Sequence, residues 1–172
     1  DEYYLTESQY STFPEGALHN YQLRAYTWEK EIFQGNEAGY MDWNDGYRRI
    51  LWANLVIDGI GRLSLAAHEK AAADHALGMA LFHRAWNYYS LAQLFCPVYD
   101  KASSQKALGL PLRLEPDLTL RVPRATLEDT YSQIVRDLTE AVKLLPETSA
   151  TAFAPTRAAA DALFARLYLQ TG

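Results

Sequence analysis

The longest regular pattern in the sequence runs from residue 66 to residue 96, where apolar side chains recur at steps of three and four. That spacing predicts an α-helix with a single apolar stripe along one side. The stripe comprises Leu77, Ala80, Leu81, Ala85, Tyr88, Leu91, Ala92 and Phe95. A helix over this whole stretch would be about 45 Å long, more than one neighbour of ordinary length can cover. We therefore expect several helices to pack along it.

A second helix is predicted directly before this stretch, from Trp43 to Leu63. Its apolar face carries Tyr47, Ile50, Leu51, Ile57 and Ile60. Only a short turn separates the two helices, and short connections make neighbouring helices antiparallel. Asn54 lies within the apolar stripe, where we expect a buried side chain that hydrogen-bonds rather than one that contacts a ligand.

Two more helices are predicted in the last third of the chain. Thr126 begins the first of them with Asp129 as a capping-box-like partner, and Pro146 ends it. Its stripe comprises Leu127, Tyr131, Ile134, Val135, Leu138, Ala141, Val142 and Leu145. Thr156 is the predicted N-cap of the last helix. We expect the inward face of that helix to carry Ala160, Leu163, Phe164, Leu167 and Tyr168.

These elements predict a single α-helical domain, or a fragment of a larger protein, with long irregular loops. Residues 1–42 form a loop-rich aromatic segment, with a short helix in residues 17–26. Residues 43–96 form the first helix pair, residues 97–124 a long extended connection rich in proline, and residues 125–172 the second helix pair. Successive helix pairs with small alanines favour tetratricopeptide-like antiparallel hairpins, although the usual 34-residue period is not kept.

Composition and charge narrow the classes of function. The chain has 172 residues, 49% of them hydrophobic, and a formal net charge of −5. A dispersed set of basic residues in an acidic chain disfavours a nucleic-acid or anionic-membrane surface. The single cysteine, Cys96, excludes an internal disulfide and is best explained as a small buried thiol. No apolar run is long enough to span a membrane.

The sequence contains no recognisable catalytic or metal-binding motif, so we expect no enzyme activity, no cofactor and no metal site. His75 and His83 are expected to be packing residues, and Arg84 and Arg166 to bridge helix seams. Acidic residues among the aromatic ones offer a weak signal for a glycosidase, which needs two carboxyl groups held about 5 to 9 Å apart. These acidic residues are Glu29, Glu31, Glu37, Asp42 and Asp45.

Four stretches in this order resemble the SusD/RagB family of glycan-binding outer-membrane lipoproteins. The first is the pattern W-x-x-x-Y-x-x-I-x-x-A-N, carried by Trp43, Tyr47, Ile50, Ala53 and Asn54. The second is A-x-x-x-R-A followed by an aromatic pair and L-x-x-x-F, carried by Ala80, Arg84, Ala85, Tyr88, Tyr89, Leu91 and Phe95. The third lies in residues 108–146, and the fourth is the stretch from Pro155 to Gly172, which contains the closing helix.

The resemblance implies a non-catalytic protein at the cell outer membrane. Such a protein captures oligosaccharides or polysaccharides at the surface and delivers them to a TonB-dependent SusC-type transporter for nutrient uptake. It would meet the membrane only through a lipid anchor, and the lipid-bearing cysteine is absent from this chain because Cys96 does not match it.

The resemblance also implies that exposed aromatic residues in loops hold the glycan. The aromatic-rich approach to the first long helix supplies the candidates Trp28, Tyr40 and Trp43, with Asn44 as a hydrogen-bond partner. Trp28 and Trp43 would otherwise only anchor the N-terminal segment on the helices by burying area. A helical-repeat module that binds a partner protein in its groove is the alternative function.

Overall fold

The computed structural model describes residues 5–12, 20–32, 41–151 and 153–172. Within these residues it contains six helices and one two-stranded sheet. The elements in chain order are α1 (Glu7–Ser11), α2 (Asn20–Tyr26), α3 (Met41–Gly61), α4 (Lys70–Phe95), β1 (Leu108–Pro111), β2 (Arg124–Thr126), α5 (Leu127–Leu144) and α6 (Arg157–Thr171). The chain divides into two compact units, residues 1–44 and 45–172.

The first unit contains α1 and α2. Thr6 and Gln9 form a capping box at the start of α1: the Thr6 hydroxyl accepts from the Gln9 N–H at 3.3 Å, and the Thr6 N–H donates to Gln9 Oε1 at 3.0 Å. This local pair explains why a helix forms where the sequence pattern predicts only loop. Helix α2 confirms the helix predicted in residues 17–26, of which residues 17–19 lie outside the described part.

The core of the second unit lies between α4 and α5, and α3 packs antiparallel to α4. Ala85, Tyr88, Ile134 and Leu138 are fully buried in this core. Helix α3 comes so close to α4 that a Cβ on Gly46 would lie 2.8 Å from the Leu91 side chain. The two long helices and their pairing confirm the prediction from the apolar stripes.

The predicted extended connection contains the sheet. Strand β1 pairs antiparallel with β2, so that Leu108 lies opposite Thr126. A Cβ on Gly109 would lie only 2.1 Å from the Thr130 hydroxyl, so this position requires glycine. Thr126 also caps α5, since its hydroxyl accepts the Asp129 N–H at 3.0 Å. The cap predicted at Thr126 is therefore confirmed.

Helix α6 buries a narrower face than its sequence predicts. Ala160, Leu163 and Leu167 are buried, and Phe164 is half-buried, but Tyr168 is 56% exposed. The inward position predicted for Tyr168 is therefore wrong. Among the described helices α6 packs mainly against α5, and one neighbour covers only a single row of side chains. Arg166 is exposed for the same reason, which corrects its predicted place in a helix seam.

Candidate functional site

A buried ion pair joins three helices of the second unit. Arg84 on α4 donates to Asp137 on α5 through Nε and Nη2, both at 2.7 Å, and its Nη1 donates to Asn54 Oδ1 on α3 at 2.9 Å. Gln133 adds a third donor to the Asp137 carboxylate, at 2.9 Å. One guanidinium thus joins three helices, as expected for Arg84 and Asn54, and each buried charge has partners.

The same helices fix the chain that follows β1. The carbonyl of Arg113 accepts from Tyr88 Oη at 2.6 Å and from Asn54 Nδ2 at 2.9 Å, while Tyr47 Oη donates to the Pro111 carbonyl at 2.9 Å. Burial raises the pKa of Tyr47 and of Tyr88 well above the ordinary tyrosine value of 10.0. Both phenols therefore act as permanent hydrogen-bond donors that hold this segment on the helices.

Other titratable groups near the sheet are also engaged in packing. The Glu128 carboxylate accepts from the Ser104 hydroxyl at 2.6 Å and from Tyr99 Oη at 3.0 Å, and these bonds lower its pKa. Burial raises the pKa of the half-buried Cys96 thiol, although the Arg124 guanidinium beside it opposes the shift. In the described part of the chain, no group of three or more His, Cys, Asp or Glu side chains could hold a metal ion.

Two of the acidic residues that suggested a glycosidase have the following local surroundings. Asp45 pairs with Arg48 on the same helix, and Glu29 lies just after α2. Glu37 lies outside the described residues.

Trp28 occupies an unusual backbone conformation at the end of α2. Its φ of 57° lies in the left-handed region, the one non-glycine residue there in the described chain. The Trp28 N–H donates to the Ala25 carbonyl at 3.3 Å, and the Glu29 N–H donates to the Arg24 carbonyl at 2.9 Å. These two bonds form a Schellman cap, in which the left-handed position is usually glycine.

The Trp28 indole lies in solvent, on a residue with a strained backbone. A left-handed L-residue costs roughly 1–2 kcal/mol, and strained residues of this kind cluster at functional sites. The side chain is 89% exposed. Because so little of its surface is buried, the indole of Trp28 does not anchor the segment on the helices, which removes that alternative for this residue.

The remaining predicted site residues lie on or before α3. Trp43 is half-buried in the first turn of that helix, and Asn44 beside it is exposed. Tyr40 lies outside the described residues. The structure therefore places Trp43 and Asn44 next to each other and Trp28 at a separate helix end.

Two further exposed aromatic residues in the first unit were missed by the sequence analysis. Tyr10 on α1 and Tyr26 on α2 have ring centroids 6.5 Å apart, and both rings are more than a third exposed. The Tyr26 hydroxyl also accepts the Leu5 N–H at 3.4 Å. Trp28 follows Tyr26 by two residues in the sequence. We refer to the three exposed aromatic residues Tyr10, Tyr26 and Trp28 together as the aromatic surface. The signal available in the sequence was a cluster of aromatic residues without a helical stripe.

The chain was compared with known families and proteins. The profile of the SusD-like family, described as starch-binding and associating with the outer membrane, matches residues 2–169. A SusD-like protein P2 from Formosa agariphila is 30% identical over 142 residues, which cover 80% of this chain and 26% of that protein.

Solved structures give the same result. A SusD superfamily protein from Bacteroides thetaiotaomicron is 28% identical, with a TM-score of 0.67 over 74% of this chain and 28% of that protein. A structure with xylogluco-oligosaccharide is 26% identical, with a TM-score of 0.58 over 74% of this chain and 23% of that protein. The chain thus spans about a quarter of the length of these relatives. None of its described helices is long and apolar enough to cross a membrane.

Proposed function

The chain belongs to the SusD-like family of proteins, described as starch-binding and associating with the outer membrane. On that basis we propose that it takes part in capturing oligosaccharides at the cell surface and catalyses no reaction. The chain spans about a quarter of the length of its relatives, so the proposal concerns the whole protein and assigns part of the capture to this chain. The observation that carries the assignment is Trp28, an indole 89% exposed in a left-handed conformation that glycine would adopt more easily.

An exposed indole suits a sugar because its flat apolar face packs against the C–H groups on one side of a pyranose ring. Tyr and Trp add a polar tip that hydrogen-bonds at the edge of the ring. The Schellman cap holds the backbone of Trp28 in place before the ligand arrives, which lowers the ordering cost of binding. Tyr26 and Tyr10 add two more rings to the same unit.

The glycan-binding residues that we propose are Trp28, Tyr40, Trp43 and Asn44, extended by Tyr10 and Tyr26. The exposed Asn44 amide supplies both a donor and an acceptor for sugar hydroxyls. The relative solved with xylogluco-oligosaccharide supports saccharides as the ligand class.

Delivery and location follow from the same proposal. We infer that the captured oligosaccharide passes to a TonB-dependent SusC-type transporter in the outer membrane. The protein would be a surface-exposed lipoprotein held there by a lipid anchor. The description of the family as associating with the outer membrane supports this location.

The helical-repeat interaction module is less well supported. It requires the aromatic and aliphatic residues of the helical stripes to line an open groove, but Tyr88 and Leu163 are fully buried. Tyr89 and Phe164 are half-buried. Most of that apolar surface is used in helix packing, so oligosaccharide capture remains the conclusion.

Calorimetric titration of the full-length protein with maltooligosaccharides and xylogluco-oligosaccharides tests the proposal. Loss of one stacking platform costs about 1 to 3 kcal/mol by analogy with aromatic stacking on bases, so Trp28→Ala should weaken binding at least about fivefold. Phe153→Ala is the matched control, since Phe153 is 96% exposed and lies outside the aromatic surface. Equal affinities of these two variants would exclude Trp28 from the site, and a Trp43→Ala variant tests Trp43 in the same way.

A further inference from the structure

An open groove of about 490 Å³ runs between α3 and α4. The indole of Trp52 on α3 lines it and is 58% exposed. Val56 and Met79 line the apolar end of the groove, and Arg49 and His83 line the polar end. All of these residues belong to the second unit, so the groove is built independently of the aromatic surface.

Arg49 differs from the other arginines and lysines of these two helices. The other three each pair with a carboxylate: Arg48 with Asp45, Lys70 with Asp74, and Arg84 with Asp137. Arg62, which directly follows α3, pairs with Asp58. Arg49 is exposed and donates only to the neutral Asn87 Oδ1, at 3.5 Å. Within the described chain no ion pair involves Arg49. Its guanidinium thus retains most of its donors for an anion that enters the groove.

Asn87 and His83 complete the polar end. Asn87 is only 4% exposed, and its Nδ2 donates to the His83 carbonyl at 2.7 Å, which fixes the orientation of the amide. Burial lowers the pKa of His83, so its imidazole is neutral at neutral pH and offers one donor and one acceptor. The end of the groove therefore presents planar groups that hydrogen-bond in defined directions.

Arg49 and Trp52 are three residues apart on α3, so the guanidinium and the indole lie side by side on the helix surface. Residues three apart on a helix have Cβ atoms about 5 to 6 Å apart, close to the width of a pyranose ring. A sugar that stacks on the Trp52 indole therefore brings a ring substituent within reach of Arg49. The guanidinium fork matches a carboxylate in particular, because two parallel N–H bonds can meet its two oxygens.

We propose that the groove between α3 and α4 binds an acidic saccharide, in which a uronic-acid ring stacks on Trp52 and its carboxylate pairs with Arg49. Asn87 and His83 hydrogen-bond the hydroxyls beside the carboxylate. The ligand class rests on the proposed function, whereas the site itself does not involve the aromatic surface. At its polar end the groove places a flat indole beside three planar polar groups, which suits a sugar ring with its hydroxyls and carboxylate.

Titration of the full-length protein with trigalacturonate and with its fully methyl-esterified form tests this site. The two ligands share every ring and hydroxyl, so their difference in affinity measures the carboxylate contact. Wild type should bind the acid about three- to tenfold more tightly than the ester, with a preference that weakens as salt rises. Arg49→Gln should abolish that preference, and Arg48→Gln, one residue away on the same helix, should retain it.

A second pair of variants tests the stacking contact. Trp52→Ala should weaken binding of the acid and the ester together by about fivefold or more. Leu55→Ala, which removes another exposed apolar side chain of α3, should leave both affinities unchanged. The proposal is overturned if wild type fails to bind trigalacturonate or binds acid and ester equally, or if Arg49→Gln behaves like Arg48→Gln. A peptide of alternating Glu and Leu that binds in an Arg49-dependent way, without any saccharide binding, would also overturn it.

The experiments distinguish failure of the groove proposal from failure of the proposed function. If Trp28→Ala weakens binding of neutral maltooligosaccharide while Arg49→Gln changes nothing, only the groove proposal is wrong. If Arg49 controls the preference for trigalacturonate while Trp28→Ala changes no affinity, only the assignment of capture to Trp28 is wrong.

Discussion

Arg84 and Asp137, which lie 53 residues apart in the sequence, form a two-pronged ion pair between α4 and α5 with both N–O distances at 2.7 Å. Their side chains are almost completely buried. Removal of either partner would leave a buried charge without compensation, which is far more costly than the net contribution of the intact pair. The ion pair therefore specifies how α4 meets α5, while the apolar contacts around it provide most of the stability.

The first prediction concerns this pair. Arg84→Met should lower the free energy of unfolding by about 3 to 5 kcal/mol, because it leaves the Asp137 carboxylate buried and unpaired. The double variant Arg84→Met with Asp137→Leu should recover much of that loss. Urea unfolding followed by circular dichroism measures both values.

Arg62→Gln is the control, because it breaks an exposed pair with Asp58 and should change the free energy of unfolding by less than about 1 kcal/mol. A similar loss of stability for Arg62→Gln and Arg84→Met would contradict the argument.

The second prediction uses two helical glycines. A Cβ on Gly78 of α4 would lie 2.8 Å from Leu144 Cβ and 3.2 Å from the Leu144 backbone carbon, so Gly78→Ala should destabilise the protein by about 1 to 3 kcal/mol. Nothing lies within 4 Å of a Cβ on Gly59. Gly59→Ala should therefore stabilise the protein by about 0.5 to 1 kcal/mol through the better helix propensity of alanine. Thermal unfolding compares the two variants, and shifts of the same sign would contradict the packing at Gly78.

The third prediction separates stability from binding at Trp28. Trp28→Gly should stabilise the end of α2 by about 0.5 to 1 kcal/mol, because glycine adopts the left-handed conformation without strain. The same change removes the indole and should weaken oligosaccharide binding. Native-state hydrogen exchange of the α2 amides measures the first effect, and calorimetry the second. Trp28→Ala keeps a Cβ and should weaken binding without the gain in stability, so equal protection in the two variants would argue against strain.

The fourth prediction concerns alkaline pH. The pKa of Tyr47 and of Tyr88 is raised by burial, so both phenols stay protonated in the folded protein and ionise near pH 10 only when it unfolds. The stability they contribute is fully present below pH 10 and is lost as pH rises toward their folded pKa values. The free energy of unfolding should therefore fall steadily above pH 10.

A double variant tests the source of that fall. With Tyr47→Phe and Tyr88→Phe together, the decline above pH 10 should be shallower, at a cost near neutral pH of about 1 kcal/mol for each lost hydrogen bond. Denaturant unfolding between pH 8 and pH 11 measures the slope. Tyr168→Phe is the control, since Tyr168 is exposed; equal slopes for the control and the double variant would contradict the burial argument.

The helices were predictable from the sequence because their signals are local. Steps of three and four among apolar residues predicted α3, α4, α5 and α6, and the caps at Thr126 and Thr156 confirmed where the last two begin. Motifs in the same helices were enough to identify the family, which the profile match to residues 2–169 confirms. The prediction failed for Tyr168, since periodicity gives the face of a helix but not how many neighbours cover it.

Less of the candidate site than of the helices could be predicted from the sequence. The sequence supplied an aromatic-rich segment with Trp28 in it. Neither the place of Trp28 in a Schellman cap nor its exposure was indicated by a motif. Tyr10 and Tyr26 lie 16 positions apart and were recognisable as a pair only once their helices were placed.

The sequence by itself determined the helical segments, their antiparallel pairing and the family, because each depends on residues a few positions apart or on short turns. Only the tertiary structure decided that Arg84 meets Asp137, that β1 pairs with β2, and that Arg49 forms no ion pair with any described carboxylate. These features depend on which faces of distant segments come together. Burial, charge compensation and the space left between the helices are set only at that point.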